Sequence, residues 1–214
     1  MSNKKLVYQL RVTIKGIKPP IWRRLLLLSD ATFWELHIAI QDSLGWEDYH
    51  LHEFYIGSAW NPKAPRICFP YPEDDWSDLF GDNDSLDETK THLSDYISVQ
   101  KPKVIYIYDM GDGWQHEVLL EKVLPFNDKA AYPQVIDGKR ACPWEDAGGI
   151  GGYQEKIEIL QDKNHEYFDE IADWVGIESF EELDLESFDP DEVIFRNAAT
   201  ELQRVKKGFE REYS

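Results

Sequence analysis

Hydrophobic and polar positions alternate with period two at the start of the chain. In "LVYQLRVTIKG", Tyr8, Leu10, Val12 and Ile14 fall on one side and Val7, Gln9 and Arg11 on the other, the pattern of a half-buried β-strand. "IKPP" breaks the pairing, and "IWRRLLLL" reads as a second strand entered through a double proline that cannot donate to a ladder. The period then changes. "SDATFWELHIAIQDSLGW" sets Leu36, Ile40 and Leu44 on one helical stripe, with Thr32 and Glu35 spaced as a capping box and Gly45 placed to stop the helix. "YHLHEFYIGSAW" returns to period two, with His50, His52, Phe54 and Ile56 on one face and Leu51, Glu53 and Tyr55 on the other.

From Pro72 to Asp95 nine acids stand against Lys90 alone, which predicts a solvated excursion with a short helical turn near "LSDYI". Val104–Tyr108 and Gln115–Leu124 have strand composition and are joined by "DMGDGW", so they predict a hairpin. The stretch "PFNDKAAYPQVIDGKRACPWEDAGGIGGY" reads as a loop punctuated by Gly and Pro, leading into a helix from about Tyr153. "EYFDEIADWVG" and "DPDEVIFRNAATELQRVKKGF" predict two further helices. The order implies an α+β fold: a mainly antiparallel sheet with packed helices and a helical C-terminal part. No fixed-period repeat or low-complexity linker divides it, so residues 1–197 read as one domain with 72–95 as an inserted acidic loop. Residues 198–214 then form the end of the last helix and a tail.

Charge narrows the function classes. The 214 residues carry a formal net charge of −18, which argues against a protein that coats DNA, because phosphate binding needs a basic footprint. Seven of the 23 basic residues lie in the first 29 positions, without one acid, leaving 16 basic against 41 acidic residues beyond. That end is therefore expected either to meet an anion or to offset the acidic remainder through surface pairs. Cys68 and Cys142 have no C-x-x-C spacing, and no long apolar run reads as a membrane span or signal peptide, so a cytoplasmic setting is expected.

Two chemical readings compete for the polar residues. In "HLH", two imidazoles at i and i+2 have the spacing by which a strand offers both to one ion. A metal-dependent hydrolase would use His50, His52, Asp112 and His116 as ligands and Glu145 or Asp146 as general base. The alternative is turn chemistry without an ion: Asp109 and Asp112 accept turn amides, Gly111 and Gly113 supply positive φ, Trp114 anchors the core, and His116 is structural. "EDAGGIGGY" lacks G-K-[ST] and reads as a turn and helix start, and no G-x-S-x-G elbow is present. Trp, His and acids also gather at Gly45-Trp46 and at Trp144-Glu145-Asp146, as though these segments meet.

Four ordered motifs, "IKPPIWRR", "LHIAIQDSLGWEDYHLHEF", "YDMGDGWQHEV" and "CPWEDAGGIGGY", resemble the Ri-plasmid open-reading-frame-three-like family from about Leu6 to Asn197. The family includes insertion-element passengers bearing a TnpR resolvase label. The resemblance implies an α+β domain and no defined activity. Trp144 stands where the family has a second proline, and Ala147 where a second Cys is frequent, so a Cys pair of ligands is not carried over. A recombinase is not supported either: "YQLRVT" echoes the first strand of a serine recombinase only with Thr13 where the nucleophilic Ser would stand, none of the six His is followed by Arg at the third position as a tyrosine recombinase needs, and the chain is acidic. The resulting expectation is a non-catalytic binding or accessory module. Its cleft is lined by Arg23, His50, His52, Asp109, Asp112, Trp114, His116, Cys142, Glu145 and Asp146, with His50, Asp112, His116 and Glu145 in one pocket. No cofactor is expected, a divalent metal being the competing case. The partner is a protein or small ligand, not duplex DNA or a membrane.

Overall fold

The computed structural model describes residues 5–57, 64–70 and 85–212. The strands are β1 Leu6–Ile14, β2 Trp22–Leu28, β3 His52–Ile56, β4 Arg66–Cys68, β5 Leu86–Asp87, β6 Lys103–Tyr108, β7 Trp114–Pro125 and β8 Gln134–Lys139. They form one sheet in the order β5-β4-β3-β6-β7-β1-β2-β8, and every neighbouring pair but β4 and β5 is antiparallel. The helices are α1 Phe33–Leu44, α2 Leu93–Tyr96, α3 Gly149–Gln161, α4 Phe168–Val175 and α5 Ala198–Glu212. This is an α+β fold built on a mainly antiparallel sheet.

Register follows the hydrophobic pattern. Tyr8, Leu10, Val12 and Ile14 share one core with Leu36, Ile40 and Leu44 of α1, so the period-two face of β1 and the helical stripe of α1 bury the same apolar surface. The ends of α1 behave as their chemistry dictates. Thr32 Oγ1 accepts from Glu35 N, the Glu35 carboxylate accepts from Thr32 N at 2.7 Å, and Gly45 closes the helix at φ 77°. The stop matters because it turns the chain at once into Trp46 and the segment that builds the site.

The structure corrects several expectations. "QVIDGK", read as loop, is β8: it pairs with the outer side of β2 across a bulge between Arg24 and Leu25, so a free sheet edge overrides weak local propensity. Short β4 and β5 extend the other edge, whereas the short helical turn expected at "LSDYI" is present as α2. Of the acidic stretch, residues 72–84 lie outside the described residues, but Glu88 is fully buried rather than solvated. The last helix begins at Ala198 instead of near Asp189. Asn197 Oδ1 accepts from Thr200 N as its cap, while Pro190–Glu192 make only a 3-10 turn. Ala198, Leu202 and Val205 pack on Trp34, Ile38 and Phe69, so this helix is docked on α1.

The helix expected from Tyr153 starts four residues earlier because the glycines admit neighbouring backbone. A Cβ at Gly149 would lie 2.5 Å from Asp112 O, and one at Gly152 only 2.1 Å from Ala147 O. At Gly151 nothing lies within 4 Å. Two substitutions one residue apart should therefore differ in sign. Gly151→Ala is expected to raise stability by about 0.5 to 1 kcal/mol through helix propensity, and Gly152→Ala to lower it by about 1 to 3 kcal/mol through overpacking. Urea unfolding midpoints decide the matter, and equal shifts would contradict the packing argument.

Candidate functional site at the meeting of three loops

The segment from Trp46 to Leu51 is stitched to two others. Trp46 Nε1 donates to Pro143 O at 2.9 Å, Glu47 N donates to Glu145 Oε2 at 2.6 Å, and Asp109 N donates to Leu51 O at 2.9 Å. At the centre is Tyr108, the last residue of β6. Its hydroxyl accepts from Tyr49 N at 3.0 Å and His50 N at 3.4 Å and donates to Glu145 Oε1, while its ring stacks on Trp46 at 5.0 Å. Burial and the bond to Glu145 both raise the Tyr108 pKa, so the phenol keeps its proton. Trp114 and His116 contact the same Trp46 ring at 5.7 and 5.4 Å. Trp144 points elsewhere, to Tyr153 and Trp174.

The "DMGDGW" turn is held by its own carboxylates. Asp109, at φ 56°, accepts from Gly111 N and Asp112 N through Oδ1, and Gly113 takes φ 68°. Positive φ was expected at Gly111 also; that glycine instead leaves room for Asp109 Oδ1, which a Cβ would approach to 3.2 Å. Asp112 Oδ2 accepts from Gly148 N at 2.9 Å and so clamps the start of α3. What remains outward is His50 with Asp146. Nε2 lies 2.8 Å from Asp146 Oδ1 and 3.8 Å from Asp109 Oδ2, and the side chains of His50 and Asp146 are 30% and 64% exposed.

The ten residues expected in one cleft are thus divided. His50, Asp109, Asp112, Glu145 and Asp146 come together with Tyr108. His52 does not join His50: it lies in the core, its Nε2 2.9 Å from Glu88 and its ring stacked on His37 at 3.4 Å with planes 2° apart. The period-two argument fails there because β3 begins only at His52, so His50 precedes the pleat. His116 is fully buried between the rings of Trp46 and Tyr106, and its polar neighbours are the backbone of Tyr106 and Trp114, so it reaches neither Asp109 nor the cleft. Trp114 is 1% exposed and is a core anchor. Arg23 is buried as well, donating to the carbonyls of Ser43, Trp22 and Lys139 with its guanidinium 3.7 Å over Phe188; burial lowers its pKa to about 10. Burial pushes the Cys142 thiol upward despite the nearby Arg23, away from the thiolate a nucleophile or ligand would need.

Sequence reasoning missed a second polar cluster beneath the first. His37 Nε2 lies 2.9 Å from Asp48 Oδ1, and His37 Nδ1 lies 2.9 Å from the Tyr106 hydroxyl, which also accepts from Gln41. Burial and then the facing His52 lower the His37 pKa; burial opposes charge on His52, but Glu88 outweighs it and raises that pKa. Of the two stacked rings, the surroundings thus favour a proton on His52 over one on His37. Glu88 sat in a run of acids and Asp48 in a turn, and only the tertiary fold brings them to these imidazoles.

A family model described as plasmid pRiA4b ORF-3-like protein matches residues 6–193, which takes in every residue of both clusters. The chain belongs to the plasmid pRiA4b ORF-3-like family. It is similar to the uncharacterised protein y4hQ of Sinorhizobium fredii (strain NBRC 101917 / NGR234), with 30% identity over 176 residues, 82% of this chain and 84% of that one. The crystal structure of a protein of unknown function, MM3350 from Methanosarcina mazei Go1, superposes with a TM-score of 0.77 at 39% identity, covering 90% of this chain and all of that one. The pRiA4b ORF-3-like relatives thus point to no reaction, and the site's chemistry must be argued from its own side chains.

His116 gives this site's underside a titration. Burial lowers its pKa from 6.5 to about 4, so between those values the unfolded chain takes up a proton that the native one refuses. Its contribution is complete above pH 6.5 and lost as pH falls, by up to about 3 kcal/mol. His37, also lowered, has the same sign, whereas His52, raised, loses its contribution as pH rises. His116→Leu is expected to flatten the fall in urea midpoint between pH 7 and 4.5 relative to the parent chain; parallel slopes would contradict the burial argument.

Proposed function

We propose that this chain is a non-catalytic binding module whose recognition surface is the outward face of the three-loop junction. The carrying observation is how its polar groups are used. Both Glu145 oxygens are taken, by the Tyr108 hydroxyl and Glu47 N. Asp112 holds Gly148 N, and His116 lies in the core. The ligand set of the hydrolase reading, His50 with His52, Asp112 and His116, is therefore not assembled, since His52 and His116 lie in the core and Asp112 is engaged by Gly148 N. His50 and Asp146 remain at the surface, with the second oxygen of the mostly buried Asp109 turned toward His50 and with exposed Tyr49 and Met110 flanking them along the chain.

The helices after Gly149 serve as a helical part that backs this surface, since Trp144 packs on Tyr153 of α3 and Trp174 of α4. A small ligand or protein partner fits the face better than duplex DNA. The two arginines of "IWRR" are committed: Arg23 is buried, and Arg24 pairs with Glu121 at 2.6 Å and Asp137 at 2.5 Å. Among the described residues no helix is long and apolar enough to cross a membrane.

The reading is tested with chromogenic carboxylic and phosphoric esters, each assayed alone and with Zn²⁺ or Mn²⁺. No turnover above that of the free ion is expected. Asp146→Asn should leave the unfolding free energy from urea titration within about 0.5 kcal/mol of the parent, because an exposed recognition group is not needed for folding. Turnover that disappears in Asp146→Asn or His50→Gln would replace the binding reading with the hydrolytic one.

A further inference from the structure

We infer that His50, Asp109 and Asp146 form a site for a divalent transition-metal ion, an assignment that rests on the reading of this face as the binding surface. Three donors from three chain segments converge there. His50 Nε2 stands 2.8 Å from Asp146 Oδ1 and 3.8 Å from Asp109 Oδ2, and all three ligand atoms lie within 4.8 Å of one another. Donors sharing an ion through bonds of about 2.0 to 2.2 Å sit about 3 to 3.5 Å apart, and both distances from His50, 2.8 and 3.8 Å, come within a few tenths of an ångström of that range.

The donors are also aimed from behind, as metal ligands usually are. Asp109 is oriented by two turn amides on Oδ1, which leaves Oδ2 to face His50. The His50 backbone is tied to the Tyr108 hydroxyl, and Glu145, next to Asp146, is anchored to that same hydroxyl and to Glu47 N. Both aspartates occupy left-handed backbone, φ 56° and 57°, where glycine would sit at lower steric cost. The chain keeps a carboxylate at each position all the same.

The other cluster of ligating types, His37, Asp48 and His52, is a poorer site. Its imidazoles lie in nearly parallel planes 3.4 Å apart, so their lone pairs run side by side and no ion can lie in both ring planes. At the outer site a single imidazole with two carboxylates has the mixed nitrogen and oxygen character that suits Zn²⁺ or Mn²⁺ better than Ca²⁺. Solvent reaches the exposed Asp146 side, so water or a group of the bound partner completes the coordination.

Isothermal titration of the full chain with Zn²⁺ and with Mn²⁺ should give saturable one-to-one binding, at least tenfold tighter than Ca²⁺. Asp146→Asn and His50→Gln should each weaken it at least tenfold, and His165→Ala should leave it unchanged. Paramagnetic broadening by Mn²⁺ should strike the His50 ring resonances before those of His37 and His52. Absence of saturable binding, unchanged affinity in both site variants, or first broadening at the buried pair would overturn the assignment. Failure of binding with the ester assays still blank removes the ion and leaves the module; metal-dependent turnover removes the module reading itself.

Discussion

The Tyr108 side chain is the constraint on which the site depends. A phenol at the end of a central strand is pinned by its ring against Trp46, which fixes where its hydroxyl stands. From that point it satisfies two backbone N–H groups of the segment between α1 and β3 and donates to Glu145 of the "CPWED" loop. Stacking alone would locate one loop, and hydrogen bonds alone would leave three loops free to slide. Together they turn irregular segments into a rigid frame. The frame presents His50 and Asp146 without requiring either for its own integrity.

Charge burial shapes what is left for binding. His52 with Glu88, His37 with Asp48, and Arg23 on three carbonyls put ionisable groups in the interior, where an unpaired one would cost several kcal/mol. Each is answered by a partner, and the answer removes it from chemistry. His116 differs from them: it is neutral, aromatic on two sides and without a charged partner. It behaves as a packing residue with a latent proton affinity.

Local chemistry made much of the fold readable in advance. Thr32, Glu35 and Gly45 mark the ends of α1 because capping is decided within four residues, and the faces of β1 follow from alternation. The gathering of Trp, His and acid at turns pointed to the "DMGDGW" and "CPWED" loops, which meet the segment from Trp46 to Leu51, but His52, His116 and Trp144, counted in that gathering, lie elsewhere. The interior assignments were not. Whether His50 and His52 share a face depends on where β3 begins, and whether Glu88 is solvated depends on which strand edge lies beside it. β8 pairs because the edge of β2 is available, a fact of the folded sheet with almost no signature in "QVIDGK".

The central claim is that Tyr108 and Glu145 couple the hairpin to the "CPWED" loop rather than merely lying near each other. A double-mutant cycle of Tyr108→Phe and Glu145→Ala, read by urea unfolding at pH 7, tests it directly. The account predicts an interaction energy of about 1 to 3 kcal/mol, the range for a hydrogen bond to a charged acceptor shielded from water. Effects that add to within about 0.5 kcal/mol would show that the two groups act independently, and the frame proposed for the site would then lack its central link.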